Sequence, residues 1–203
     1  MLYVCNLGSL RMYMGKVEMI WQFNSDKTEN WAYKDNLFTP EECSQIIAIG
    51  NSKLEEAKTI GENNGVRESQ IAWLYGNDIE FAFRRVTDSI FDLNNQFFNF
   101  DLFGLAEGFQ FTKYDAPTGH YGMHIDKVLN GVVRKLSLTI QLSSPEDYEG
   151  GELALQYEKE AKVMPKELGK MIVFPSYTLH EVRPITKGTR YSLVAWVTGK
   201  PFK

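Results

Sequence analysis

His124-Ile125-Asp126 sets an imidazole and a carboxylate two positions apart, and His180 and Arg190 follow well downstream. In a strand, residues two apart project from one face, so if Gly122-Met123-His124-Ile125-Asp126 is extended, His124 and Asp126 converge on one ion. Two imidazoles and a carboxylate make the facial ligand set that holds non-haem Fe(II) and leaves coordination positions open. The third ligand must come from elsewhere, and His180 is the only histidine downstream in a chain that has 3. Arg190 adds what a metal alone does not need. Its planar fork matches a carboxylate bidentately, which lysine does less well. Alternation in Thr189–Trp196 puts Arg190, Ser192, Val194 and Trp196 on one face, with Trp196 read as core. An arginine beside such a triad suits the far end of a dicarboxylic 2-oxo acid. His120 lies four before His124, but Pro117 and Gly119 oppose a helix there, so a solvated loop histidine is expected.

The elements that must position these groups are readable in outline. Thr39-Pro40-Glu41-Glu42 reads as a helix start, with Thr39 as N-cap, Pro40 in the first turn and Glu42 closing a capping box. Cys43, Ile46 and Ile47 supply its apolar stripe, and Gly50 reads as its stop. Thr59 to Gln70 is polar and glycine-bearing, and reads as a mobile loop that covers the substrate. A second helix opens at Asp78, with Ile79, Ala82, Phe83, Val86, Ile90 and Leu93 at helical spacing and Phe97 and Phe98 continuing its buried side. After Asp101 come short β-prone runs at 109–114, 122–126, 136–142, 152–156, 171–174 and 190–198. Asn130-Gly131, Gly150-Gly151 and Lys187-Gly188 are among the turns between them. Helices first and strands afterwards predicts an α+β domain whose C-terminal half is a two-sheet β-roll, the helices buttressing one sheet.

Composition bounds the function. The chain has 203 residues, suited to one domain, and a net charge of -4, against the basic excess of a nucleic-acid footprint. Two cysteines do not make a disulfide framework. The first twenty residues lack a basic start ahead of a continuous apolar run, so no signal peptide is read, and no stretch is long and apolar enough for a membrane span. A cytoplasmic protein without nucleic-acid or membrane partners is expected.

Taken together, these segments carry a family resemblance. Tyr114, His124-x-Asp126, Tyr148-Glu149-Gly150-Gly151-Glu152-Leu153 and the run from His180 to Arg190 resemble the prolyl 4-hydroxylase branch of the 2-oxoglutarate/Fe(II) dioxygenases. They are similar in particular to the bacterial PKHD-type hydroxylases. Leu37–Cys43 and Val66–Leu74 also resemble segments of that branch, so the similarity runs from about residue 33 onward. The resemblance implies a double-stranded β-helix (jelly-roll) core within a single domain over 1–203. Residues 1–32 would form an extension with first strands, 33–100 a mainly helical support, and 101–203 the jelly roll with its metal site.

The resemblance also implies roles. Fe(II) would be bound by His124, Asp126 and His180, and the distal carboxylate of 2-oxoglutarate by Arg190. Tyr114 and Gln141 would border the co-substrate and Ser192 would add a hydroxyl to Arg190. Arg67 and Trp73 would lie near the substrate, the bland reading being a structural salt bridge with an aromatic plug. O2 is the second co-substrate, and ascorbate enters as a candidate accessory reductant. Collagen-type enzymes usually carry lysine where this chain has Arg190, which weighs against a collagen-like substrate. The expected activity is hydroxylation of an aliphatic carbon, foremost a prolyl residue in a peptide or protein. The alternatives are oxidation of a free amino acid or other small molecule, and a non-catalytic jelly-roll binding module.

Overall fold

The computed structural model describes residues 28–56, 65–105, 107–126, 128–129 and 131–201. It adds the backbone of three short antiparallel strands, Val4–Asn6, Ser9–Met14 and Val17–Gln22. The first half of the expected covering loop, residues 59–64, lies outside the described residues. The principal elements are β1 (Ala32–Lys34), α1 (Pro40–Asn51), β2 (Gln70–Leu74), α2 (Gly76–Leu93), β3 (Phe109–Asp115), β4 (His120–His124), β5 (Val132–Gln141), β6 (Leu153–Gln156), β7 (Met171–Pro175), β8 (Leu179–Val182) and β9 (Ile185–Gly199).

Two antiparallel sheets result. The large one runs β1-β7-β5-β9-β3-β2, with Glu55–Glu56 beyond β2. The small one places β6, β8 and β4 between the short strands Lys162–Val163 and Arg67–Glu68. This is the jelly-roll architecture expected within an α+β fold. The first half of the chain is less purely helical than its periodicity implied, because β1 and β2 thread into the large sheet. Part of the expected loop, Arg67–Glu68 and Gln70, is strand.

The helices pack where their apolar stripes direct them. Cys43 and Ile46 of α1 join Ile79, Ala82, Val86, Ile90 and Leu93 of α2 in one core with Leu136, Leu138, Ile140, Leu193, Ala195 and Val197 of the large sheet. The Thr39 capping box forms, with Thr39 Oγ1 accepting from the Glu42 N–H at 3.2 Å and the Thr39 N–H donating to Glu42 Oε2 at 2.9 Å. Arg85 of α2 then grips Glu42 through both carboxylate oxygens, at 2.6 and 2.9 Å, and ties the helices together. Two helix boundaries differ from expectation. α2 opens at Gly76, and Asp78 is its third residue, its carboxylate accepting from the Tyr75 N–H at 2.9 Å. Gly50 lies inside α1 and does not end it: a Cβ there would meet the Phe111 ring at 2.4 Å, so glycine serves a close helix–sheet approach. Phe98 is buried as expected, in a π-turn that follows α2. Among the described residues no helix is long and apolar enough to cross a membrane.

Candidate active site

β4 and β8 are neighbours in the small sheet, and their register sets His124 directly opposite His180. The two rings stand 4.1 Å apart, centroid to centroid. The strand ends at His124, two residues earlier than the sequence implied, and its register shifts between Tyr121 and His124. Asp126 therefore lies just past the strand, where simple alternation does not govern it. Its backbone N–H donates to the Ser176 carbonyl at 3.0 Å, which turns the carboxylate back toward both imidazoles. Asp126 Oδ1 lies 3.7 Å from His124 Nε2, and Oδ2 lies 3.4 Å from His180 Nε2. One donor atom from each of the three residues lies within 4.8 Å of the others.

The surroundings prepare these groups for a cation. His124 Nδ1 is 2.8 Å from the Gly122 carbonyl and His180 Nδ1 is 2.9 Å from that of Thr178. A carbonyl only accepts, so each Nδ1 carries the proton and each Nε2 presents a lone pair inward. Burial, reinforced by the charge of His180, pushes the His124 pKa down to about 4, leaving a neutral ligand at physiological pH. Burial alone would raise the Asp126 pKa. The hydrogen bond and charge of His180, with the charge of His124, outweigh it and hold the carboxyl well below the usual range. Ser137 donates to Asp126 Oδ2 at 2.9 Å, and its Oγ lies 3.0 Å from that of Ser176. The donor set and its fixed tautomers fit one divalent ion with open positions.

Arg190 lies on the inner face of β9 and is 1% exposed, the largest of the fully buried side chains. Its NH2 donates to Gln141 Oε1 at 3.0 Å, its NH1 lies 3.5 Å from Ser192 Oγ, and its Cζ is 5.6 Å from the centre of the Tyr114 ring. Tyr114, Gln141, Arg190 and Ser192 thus meet at one place. Among the described residues no carboxylate pairs with this guanidinium. A buried cation with only neutral partners is costly, and an incoming anion relieves that cost.

Arg67 and Trp73 occupy the other side of the chamber. Arg67 Nε donates to Ser69 Oγ at 2.8 Å and NH2 to Gln110 Oε1 at 3.0 Å, while Cζ sits 4.6 Å over the Tyr121 ring. The salt bridge of the bland reading is absent among the described residues. Tyr121 stacks on His124 with centroids 3.6 Å apart, so Arg67, Tyr121 and His124 form one column. Trp73 packs on Trp196 at 6.2 Å. His120 stands at the start of β4, outside any loop, with its ring nitrogens 2.7 and 2.8 Å from the carbonyls of Thr118 and Gly65.

Several neighbours of the site were not singled out in the sequence. Trp196 is buried, as expected of a core residue, and its indole also lies close enough to Asp126 to help lower that carboxyl's pKa, although Nε1 makes no well-formed hydrogen bond. The Arg134 guanidinium lies 3.9 Å over the Trp196 ring and pairs with Glu107 at 2.6 Å. Alternation from Arg190 already put Trp196 on the inner face, and Ser137 shares a face with Gln141 by the same rule. Tyr121 and Ser176 had no such signal.

Comparison with known proteins agrees with this geometry. Residues 109–198 match the family model of the 2OG-Fe(II) oxygenase superfamily. A PKHD-type hydroxylase of Prochlorococcus marinus (strain NATL2A) is 33% identical over 167 residues, covering 80% of this chain and 75% of the relative. One of Gloeothece citriformis is 42% identical over 90 residues, covering 43% of this chain and only 40% of the relative's length. The prolyl hydroxylase of Trichoplax adhaerens, solved with a hypoxia inducible factor peptide fragment, shares the fold with a TM-score of 0.72 at 19% identity, covering 85% of this chain and 84% of its own. Sequence agreement along most of the chain, over a chamber with this donor set, means that the protein belongs to the PKHD-type hydroxylases, a branch of the 2-oxoglutarate/Fe(II)-dependent dioxygenases.

Proposed function

We propose that the protein hydroxylates an aliphatic C–H bond of a prolyl residue in a peptide or protein, with Fe(II) held by His124, Asp126 and His180 and 2-oxoglutarate held by Arg190. The observation that carries this reading is the buried Arg190 guanidinium, which among the described residues has no carboxylate partner and lies on the inner face of β9. Fe(II), 2-oxoglutarate and O2 supply the oxidising chemistry, in which the co-substrate is decarboxylated to succinate and oxygen enters the substrate.

The chain's own residues bind, orient and exclude water. The Gly122 and Thr178 carbonyls hold both imidazoles in the ligating tautomer, and Ser137 fixes the rotamer of Asp126. Arg190 takes the distal carboxylate, oriented by Gln141 and Ser192, while Tyr114 walls the pocket. Arg67 and Trp73 border the substrate: Arg67 stacks on the column that ends in His124, and Trp73 packs on Trp196. The prolyl assignment is supported by the Trichoplax neighbour, a prolyl hydroxylase solved with a peptide fragment.

Succinate formation by purified protein with Fe(II), 2-oxoglutarate and O2, with and without proline-containing peptides, tests the proposal. Peptide-stimulated succinate together with a hydroxylated peptide mass is expected. Succinate without stimulation by any such peptide rejects the prolyl substrate, and its absence from all metal-loaded samples rejects the activity.

A further inference from the structure

Among the described residues, four buried side-chain polar atoms have no hydrogen-bond partner: Thr112 Oγ1, Tyr148 Oη, Arg190 Nε and Trp196 Nε1. Such atoms are rare in native interiors, and each calls for a reason. Two of the four meet at one place. Tyr148, only 3% exposed, lies beside Arg190 at the end of the small cluster it forms with Tyr114, Val182 and Ile185. Both side chains close over Gly151, where a Cβ would come within 3.2 Å of Arg190 Cδ and 3.4 Å of Tyr148 Cε2. Burial raises the phenol's pKa and the Arg190 guanidinium draws it partly back, as proximity requires. Lys166 Nζ, 4.1 Å over the Tyr148 ring, adds positive potential to the same pocket.

Gln141 is already engaged. Its Oε1 accepts from Arg190 and its Nε2 donates to the Pro165 carbonyl at 3.2 Å. The amide therefore orients the guanidinium, and a free hydroxyl donor remains nearby on Tyr148. We propose that the Tyr148 hydroxyl donates a hydrogen bond to the distal carboxylate of 2-oxoglutarate alongside Arg190, with Gln141 acting as a positioning residue for that arginine. This rests on the reading of Arg190 as the distal-carboxylate site. Arg190 can only donate to the phenol oxygen, so among the described residues the hydroxyl proton has no acceptor, and a carboxylate placed beside Arg190 gains that hydrogen bond without displacing another.

The test is Tyr148→Phe, which removes only the hydroxyl. Anaerobic calorimetric titration of Mn(II)-loaded protein compares 2-oxoglutarate with pyruvate, which keeps the chelating 2-oxo acid and lacks the distal carboxylate. The variant is expected to bind 2-oxoglutarate about 10-fold more weakly, the scale of one hydrogen bond to a charged group. Pyruvate affinity and the melting temperature without ligand should stay unchanged. Equal weakening toward both ligands, or undiminished 2-oxoglutarate affinity, overturns the role of Tyr148. Wild-type protein that binds 2-oxoglutarate no better than pyruvate overturns the Arg190 reading itself, and this proposal with it. A second measurement uses wild-type protein loaded with diamagnetic Zn(II). The Tyr148 hydroxyl proton should become slowly exchanging in proton NMR on adding 2-oxoglutarate but not pyruvate. No such resonance counts against the proposal.

Discussion

The large sheet presents two unlike surfaces along the same strands. On β5, Leu136, Leu138 and Ile140 are fully buried against the helices, while Ser137, Thr139 and Gln141 alternate with them toward the small sheet. β9 repeats the pattern, with Leu193, Ala195 and Val197 on the helix side and Arg190, Ser192 and Trp196 facing inward. Both surfaces exclude water, yet one is uniformly apolar and the other carries a guanidinium, hydroxyls and an amide. The apolar face supplies the stability that lets the inner face tolerate polar groups with unmade hydrogen bonds. A single strand thereby separates folding from chemistry at a spacing of one residue.

That separation can be tested residue by residue, beginning at the inner face. Asp126→Ala should abolish both metal binding and succinate formation while the protein still unfolds cooperatively; retained stoichiometric Fe(II) binding in equilibrium dialysis would dismiss the triad. Arg190→Ala should weaken 2-oxoglutarate by about 2–5 kcal/mol, as expected for loss of a desolvated charge pair, with Fe(II) affinity little changed. Parallel losses in the two titrations would make Arg190 a structural residue.

The outer face predicts the reverse pattern. Leu138→Ala should cost about 2–5 kcal/mol in denaturant unfolding and leave metal affinity alone once the protein is folded. Its neighbour Ser137→Ala should lower metal affinity about 10–100-fold, through loss of the hydroxyl that orients Asp126. Its cost in stability should be only about 1 kcal/mol. Similar stability losses for Ser137→Ala and Leu138→Ala would erase the contrast between the faces.

Much of the site was legible because its chemistry is sparse and its strands alternate. The chain has 3 histidines, so His124-x-Asp126 leaves His180 as the one downstream candidate for a third donor. Arg190 stood out as a charge in an apolar strand. The capping box at Thr39 was legible because it is local, all of its atoms coming from four consecutive residues. What was less legible has the opposite character. Gly50 looked like a helix stop because glycine usually is one, and the Phe111 ring that requires it lies far away in sequence. Trp196 is buried as its strand predicts, and only its proximity to Asp126 depends on how two distant segments meet. Asp126 lies two residues beyond the end of β4, a strand whose register shifts between Tyr121 and His124.

Residue types and period therefore determined the candidate metal donors, the inward-facing arginine, the two supporting helices and the positions of most strands, since each is read from a residue type or from a pattern within one segment. Only the tertiary structure decided which imidazole nitrogen faces inward, which hydroxyl steadies Asp126, and which polar atoms beside Arg190 remain without partners. Those outcomes depend on cross-strand register and on burial. Both are set when segments tens of residues apart pack together, and no local pattern encodes them.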